Sequence, residues 1–84
     1  MEPSGKRAIV VGGASGMALA SVELLMKNGA KVAILDLPTS RGAEEAARLG
    51  IGFYPCNVTD FAGTEAAIRA AAADLGGLHI VVNT

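Results

Sequence analysis

The sequence contains one cysteine, one tyrosine, no tryptophan and three prolines. Its single cysteine, Cys56, excludes an internal disulfide and a multi-cysteine zinc site, which favours a reducing compartment. Seven Lys and Arg against eight Asp and Glu give a net charge of −1, and neither sign forms a run. Such a chain offers no electrostatic footprint for nucleic acid or for an anionic membrane, so we expect neither partner.

Long apolar segments are missing as well. The longest stretch without a charged residue, residues 8–22, carries glycine and serine and is shorter than the roughly 20 apolar residues of a membrane-spanning helix. The first seven residues begin with an acid and lack an apolar core, so they do not resemble a signal peptide. The expected location is the cytoplasm.

The chain has 84 residues, and 51% of them belong to the hydrophobic set. This length and composition predict one small domain, residues 1–84, with a single core. For a folded chain of this size the free energy of unfolding is on the order of 4–13 kcal/mol.

Short apolar runs alternate with segments of helical periodicity. The runs predict strands over residues 8–11, 31–36, 51–56 and 79–83. Apolar residues three and four positions apart predict helices over residues 16–28, from the N-cap Ser40 to about residue 49, and from residue 59 or 60 to residue 75. The residues expected on one side of the third helix are Phe61, Ile68, Ala71, Ala72 and Leu75.

This alternation predicts an α/β fold with the order βαβαβαβ. Strands joined by single helices pair in parallel through right-handed crossovers. The expected strand order is 3-2-1-4, as in a Rossmann-like, incomplete doubly wound sheet. Pro55 places the third strand at or near an edge, because proline cannot donate to a neighbouring strand.

Glycines occupy the turn between the first predicted strand and the first predicted helix. Gly12 and Gly16 permit a tight turn and a close backbone approach, and the start of the helix supplies N–H groups and a positive dipole end for an anion. A glycine-rich turn without any ligand is the alternative interpretation. Asp36 ends the second predicted strand, where a carboxylate can accept hydrogen bonds from a ribose diol, or can simply be a solvated acid.

Four segments in register resemble the short-chain dehydrogenase/reductase family. That family has T-G-x-x-x-G-x-G after its first strand, an acid after the second in NAD-preferring members, D-[VL]-[TS] after the third and N-N-A-G after the fourth. The corresponding segments in this sequence are Val11-Gly12 with Gly16 and Ala18, Asp36, Asn57-Val58-Thr59, and Val82-Asn83-Thr84. The resemblance covers essentially the whole chain and implies a dinucleotide cofactor, held by Gly12, Ser15, Gly16, Met17, Asp36, Leu37, Asn57, Val58 and Asn83.

Within the family, two segments resemble the type 2 3-hydroxyacyl-CoA dehydrogenase branch, which includes hydroxysteroid dehydrogenases. They are Gly-Ala-Ser-Gly at residues 13–16, and Ile-Leu-Asp-Leu-Pro at residues 34–38 with a serine close to Gly42. Enzymes of this branch act on fatty acyl-CoA and hydroxysteroid substrates, and these 84 residues do not separate the two classes.

The sequence departs from the family pattern at four positions, which carry Val11, Ala18, Asn57 and Thr84. Asn57 stands where the family has an adenine-contacting aspartate; it keeps an acceptor oxygen and gains an amide donor, so we expect it to meet the adenine amine still.

Asp36 favours NAD over NADP, because a 2′-phosphate beside it meets a like charge. Arg41 is the nearby cation that can soften this preference, or is simply an exposed residue at the start of a helix.

The catalytic pattern of the family, Tyr-x-x-x-Lys with a serine, does not occur in these residues. The only tyrosine is Tyr54, which we interpret as strand packing; Cys56 and His79 have no partners at a catalytic or metal-binding spacing. We therefore expect neither catalytic residues nor a metal.

Two functions stay open at this point. One is the NAD-binding N-terminal part of a short-chain oxidoreductase, not competent on its own. The other is a small non-catalytic module that binds a nucleotide or self-associates through the apolar edge of the fourth predicted strand. A homo-oligomer is also expected for a full-length form.

Overall fold

The computed structural model describes residues 5–12 and 16–83. Along these residues four strands alternate with three helices. The strands are β1 (Arg7–Val11), β2 (Lys31–Asp36), β3 (Gly52–Pro55) and β4 (Ile80–Asn83), and the helices are α1 (Gly16–Lys27), α2 (Gly42–Leu49) and α3 (Phe61–Leu75). Each predicted element is present, with ends that differ from the prediction by at most two residues.

The strands form one parallel sheet in the order β3-β2-β1-β4. This confirms the predicted α/β class and the order 3-2-1-4. β3 lies at one edge, as Pro55 indicated, and β4 lies at the other. Within the described residues no helix is long and apolar enough to cross a membrane.

The core has two layers because side chains alternate across the two central strands. Val10 and Ile34 face α1 and α2, while Ile9 and Leu35 face α3. All four side chains are fully buried and have no contact with solvent. The continuous apolar runs of β1 and β2 are thus explained by helices on both sides of the sheet.

One expectation for α3 is wrong. Phe61, predicted on the core side, is 81% exposed, and the side chains that α3 buries are those of Ala67 and Ala71. Small alanine side chains let the helix lie close to the sheet. Phe61 is the first residue of the helix, more than one turn before Ala67, the first side chain that α3 buries.

The helix ends follow the sequence signals closely. Asp60 caps α3 by accepting a hydrogen bond from the backbone N–H of Gly63 at 3.2 Å. The N-cap position of α2 is Arg41, one residue after the predicted Ser40. The Oγ of Ser40 nevertheless accepts a hydrogen bond from the N–H of Gly42, the first residue of the helix, at 3.1 Å.

Gly42 is buried, and its position explains a glycine that weakens the helix pattern in the sequence. A Cβ placed on Gly42 would lie 2.6 Å from Cδ1 of Phe53 and closer still to Cε1. The first turn of α2 therefore lies directly against the aromatic ring of β3. Here glycine is required by a close approach rather than by a special backbone angle.

Tyr54 joins β3 to the last turn of α3, since its hydroxyl donates a hydrogen bond to the carboxylate of Asp74. This hydrogen bond, together with burial, raises the pKa of Tyr54 to about 12. Tyr54 also packs against the α3 side of the core, in agreement with its interpretation as strand packing.

The raised pKa predicts a loss of stability at alkaline pH. Unfolding returns the phenol to its ordinary pKa of about 10, so the stabilising contribution is complete below about pH 10 and disappears as the pH rises through about 12. Tyr54 is the only tyrosine, so tyrosinate absorbance reports it directly. In Asp74→Asn we expect the midpoint to fall toward 10; an unchanged midpoint would show that Asp74 does not hold the phenol.

Candidate functional site

A cavity of about 240 Å³ opens at the carboxyl ends of the strands. All four strands, or the residues directly after them, contribute to its walls. The lining residues are Val11, Gly12, Asp36, Leu37, Cys56, Asn57, Val58 and Asn83. In open α/β sheets this is the position of ligand sites, at the point where the strand order reverses.

The pairing of the strands brings these residues together. Val11 of β1 is in register with Leu35 of β2 and with Asn83 of β4, so the three strands end at one level. β1 and β4 are neighbours although two strands separate them in sequence, and this is the reversal point. Gly12 continues from β1 with a φ of 77° and donates its N–H to the carbonyl of Leu35 at 2.6 Å.

Asp36 supplies the carboxylate of the cavity. Its Oδ1 accepts a hydrogen bond from the N–H of Leu37 at 2.7 Å, and its carbonyl accepts from the N–H of Cys56 at 2.8 Å. The side chain is thereby fixed at the end of β2. Arg41 was considered as a cation that could weaken the preference of Asp36 for NAD. It contacts Glu44 at 3.5 Å on the exposed face of α2 and does not line the cavity.

Apolar side chains form the outer part of the cavity. Leu37 is 44% exposed and Val58 is 63% exposed, although both are aliphatic. Cys56 lies deeper and is buried; burial raises the pKa of its thiol, and the charge of Asp36 acts in the same direction, while a hydrogen bond with Thr64 opposes them. The thiol is therefore a neutral, apolar part of the wall at neutral pH.

Asn57 is held by the turn that follows β3. Its Oδ1 accepts from the backbone N–H of Thr59 at 3.0 Å and from the Thr59 hydroxyl at 2.7 Å. Both lone pairs of this oxygen are thus used inside the turn. The oxygen expected to accept from an adenine amine is therefore engaged inside the turn, while the amide nitrogen is the other polar group of Asn57; its contact with adenine stays a prediction.

The start of α1 contributes backbone rather than lining side chains. Gly16 has a φ of 51°, and a Cβ placed on it would meet none of the described atoms within 4 Å. Met17 is 87% exposed. Neither residue lines the cavity, in contrast to Gly12, and Ser15 lies outside the described residues. The predicted anion site at this helix start stays a prediction.

Two lining residues, Val11 and Cys56, were not among the residues expected to bind a cofactor. Both lie at the carboxyl end of a strand, and that position was the signal that could have identified them. His79 lies at the opposite end of the sheet, where its Nδ1 accepts from the N–H of Arg7 at 3.1 Å. Among residues 5–12 and 16–83 no group of three His, Cys, Asp or Glu is placed to hold a metal.

Comparison with known proteins relates this site to a family. The sequence profile of short chain dehydrogenase matches residues 6–84. The chain is 43% identical over 77 residues to a 3-hydroxyacyl-CoA dehydrogenase type-2 from Drosophila melanogaster, which covers 89% of this chain and 30% of the fly protein. It is also 43% identical over 79 residues to (+)-borneol dehydrogenase 1 from Salvia officinalis, covering 92% of this chain and 30% of the plant protein.

The fold agrees with a solved structure of the same kind. A 3-ketoacyl-(acyl-carrier-protein) reductase from Brucella melitensis complexed with NADH superposes with a TM-score of 0.85 and 26% identity, over 93% of this chain and 33% of the reductase. The chain thus spans about 30% of the length of these relatives. With the family profile matched from residue 6 to residue 84, the chain belongs to the short-chain dehydrogenase family.

Proposed function

We propose that this chain is the NAD-binding N-terminal portion of a short-chain oxidoreductase. The observation that carries the proposal is the cavity at the reversal point of the sheet, where the Asp36 carboxylate adjoins the apolar Leu37 and Val58. The similarity to a reductase complexed with NADH supports it. The reaction of the longer protein is hydride transfer between a nicotinamide and a secondary alcohol or ketone.

The chemistry of the lining residues fits the adenosine end of a dinucleotide. Asp36 accepts hydrogen bonds from the ribose hydroxyls, and a free ribose suits its charge better than a 2′-phosphate does. Leu37 and Val58 provide apolar surface for a planar base. In this proposal the backbone N–H groups at the start of α1 bind the pyrophosphate. Asn83, at the end of β4, contributes a polar side chain to the same cavity. When bound, NAD supplies the hydride acceptor.

The proton chemistry of the reaction is assigned to residues outside this chain. Tyr54 is the only tyrosine in the sequence. Its hydroxyl donates a hydrogen bond to Asp74 in the last turn of α3, and it does not line the cavity. Hydride transfer to or from a secondary alcohol needs a general acid or base in contact with the substrate oxygen. The relatives named for 3-hydroxyacyl-CoA favour that substrate class over a hydroxysteroid for the longer protein.

Titration of the 84-residue chain with NADH tests this function. We expect saturable binding, measured by nicotinamide fluorescence, together with no turnover of a 3-hydroxyacyl-CoA. Failure to bind NADH at millimolar concentration would contradict the binding function. Turnover by the purified chain would contradict the assignment of catalysis to other residues.

A second candidate is self-association through β4. This strand is at the edge of the sheet, and its central residue, Val81, is 51% exposed. An apolar edge strand with unpaired backbone groups favours pairing with another copy. The β4 edge can form the interface of a homo-oligomer if no other strand of the longer protein pairs with it.

Light scattering tests the association. We expect a mass above that of the monomer for the unsubstituted chain and a shift toward the monomer for Val81→Lys, because a charge on an edge strand opposes pairing. Leu24→Lys is the matched control, since Leu24 is also an exposed aliphatic residue but lies on α1. A monomer at every concentration, or equal effects of the two lysines, would argue against the β4 edge.

A further inference from the structure

The loop between β3 and α3 forms one wall of the cavity. It carries three lining residues in succession, Cys56, Asn57 and Val58. Residues 57–60 are exposed, so burial in the core does not fix this part of the chain. Its position in the folded protein depends on hydrogen bonds, and one hydroxyl group on α3 makes two of those that hold the wall.

Thr64 supplies this hydroxyl from the first turn of α3. Its Oγ1 donates to the backbone carbonyl of Asn57 at 3.1 Å, across the loop. A further hydrogen bond joins the same hydroxyl to the thiol of Cys56. The Asn57 carbonyl also accepts from the N–H of Asp60 at 2.8 Å, so both of its lone pairs are used. Thr64 therefore ties two consecutive lining residues to the helix that follows them.

The helix α3 is a fixed support for this loop. Its Ala67 and Ala71 side chains are buried against the sheet, about one and two turns beyond Thr64. Thr64 itself is half-buried and does not line the cavity. It can therefore hold the wall of the cavity in place without contacting a ligand bound there.

We propose that Thr64 is a positioning residue for the cofactor cavity: its hydroxyl holds the wall formed by residues 56–58 in the conformation that accepts a dinucleotide. The proposal rests on the dinucleotide-binding function. Without the hydroxyl, the loop has to become ordered when the ligand binds, and the cost of this ordering weakens the binding. The loss of one hydroxyl–carbonyl hydrogen bond corresponds to a change in affinity of about 3–10-fold.

The test measures the dissociation constant of NADH for the 84-residue chain and three variants. Thr64→Val keeps the branched shape and removes the hydroxyl, so NADH should bind about 3–10-fold more weakly. Thr64→Ser keeps the hydroxyl and loses only the methyl group, so it should retain most of the affinity. Ser21→Ala is the matched control, because it removes a hydroxyl that donates to a backbone carbonyl at 3.1 Å on α1, at a residue that does not line the cavity. It should leave the dissociation constant unchanged.

The thiol of Cys56 provides a second readout, which does not require a bound nucleotide. The hydrogen bond with Thr64 lowers the pKa of Cys56, so Thr64→Val should raise this pKa and Thr64→Ser should preserve it. Cys56 is the only cysteine, so the pH dependence of alkylation by iodoacetamide reports this pKa directly. An unchanged midpoint in Thr64→Val would show that the hydroxyl does not hold the loop.

The two readouts separate the positioning role from the function on which it rests. If NADH binds the unsubstituted chain and Thr64→Val equally well, the role of Thr64 is overturned while the binding function stands. If Thr64→Ser binds NADH as weakly as Thr64→Val does, the role assigned to the hydroxyl is overturned as well. If NADH does not bind the unsubstituted chain, both proposals fail together, whatever the midpoint of alkylation.

Discussion

NADPH should bind this chain about 10–100-fold more weakly than NADH, and Asp36→Asn should remove most of that difference. The 2′-phosphate of NADPH carries close to two negative charges and would lie against the Asp36 carboxylate. Two like charges about 4 Å apart repel by roughly 1 kcal/mol in water and by more at a partly desolvated site. No cation among the lining residues offsets this repulsion, because Arg41 contacts Glu44 instead.

Asparagine is the substitution that separates the charge of Asp36 from its hydrogen bonding. Its Oδ1 preserves the acceptor for the N–H of Leu37, so the turn after β2 keeps its shape while the charge is lost. NADH should then bind about 10-fold more weakly, because its ribose loses a charge-assisted hydrogen bond. NADPH should bind more tightly than before, because its repulsion is gone.

Fluorescence titration of NADH and NADPH into the unsubstituted chain and into Asp36→Asn measures the four dissociation constants. Glu65→Gln is the control, since it removes one negative charge from α3 at a residue that does not line the cavity. It should leave the ratio of NADH to NADPH affinity unchanged. NADPH binding equal to or tighter than NADH binding in the unsubstituted chain would refute the role given to Asp36.

The arrangement of the elements was predictable because it depends on patterns that extend over many residues. Apolar runs such as Val32 to Leu35 are long enough to indicate strands, and alternation with helices dictates parallel pairing and the order of the strands. Asp36 and Asn57 were predictable as lining residues for the same reason: both follow strands, and parallel strands end at one edge.

Single contacts were not predictable, because they depend on distances between elements. The sequence shows that Asn57 has both a donor and an acceptor, but only the structure shows that Thr59 uses the acceptor. Phe61 fits the apolar pattern of α3 but is 81% exposed as the first residue of the helix, and the periodicity of a helix does not show how much of its length is covered by a partner. Gly42 weakened the helix prediction, because the ring that it accommodates belongs to a strand ten residues further along the chain.

Gly42→Ala should destabilise the chain, although alanine is the better helix former. In a helix interior the exchange of glycine for alanine is favourable by about 1 kcal/mol, which is the upper limit of the gain at Gly42, the first residue of α2. Against this, the new methyl group would overlap the ring of Phe53, and forcing extra volume into a packed region costs about 1–3 kcal/mol. We expect a net loss of about 1–2 kcal/mol, a large part of a stability on the order of 4–13 kcal/mol.

Urea denaturation followed by circular dichroism measures this loss, and Ala43→Gly is the control. Ala43 is exposed in the same turn of α2, so its replacement reports helix propensity alone and should cost about 1 kcal/mol. If Gly42→Ala instead raises the denaturation midpoint, the ring moves aside at little cost and glycine is not required there.

A double-mutant cycle with Phe53→Leu identifies the cause of the loss. Leucine lacks the ring atoms that approach Gly42, so in its presence the alanine has room for its methyl group. The free energy lost on Gly42→Ala should then become smaller or change sign, giving a coupling of about 1 kcal/mol or more between the two positions. Additive effects would show that the cost of alanine arises elsewhere than at the ring. A measured coupling would establish that α2 is positioned on the sheet by the contact of one glycine with one aromatic side chain.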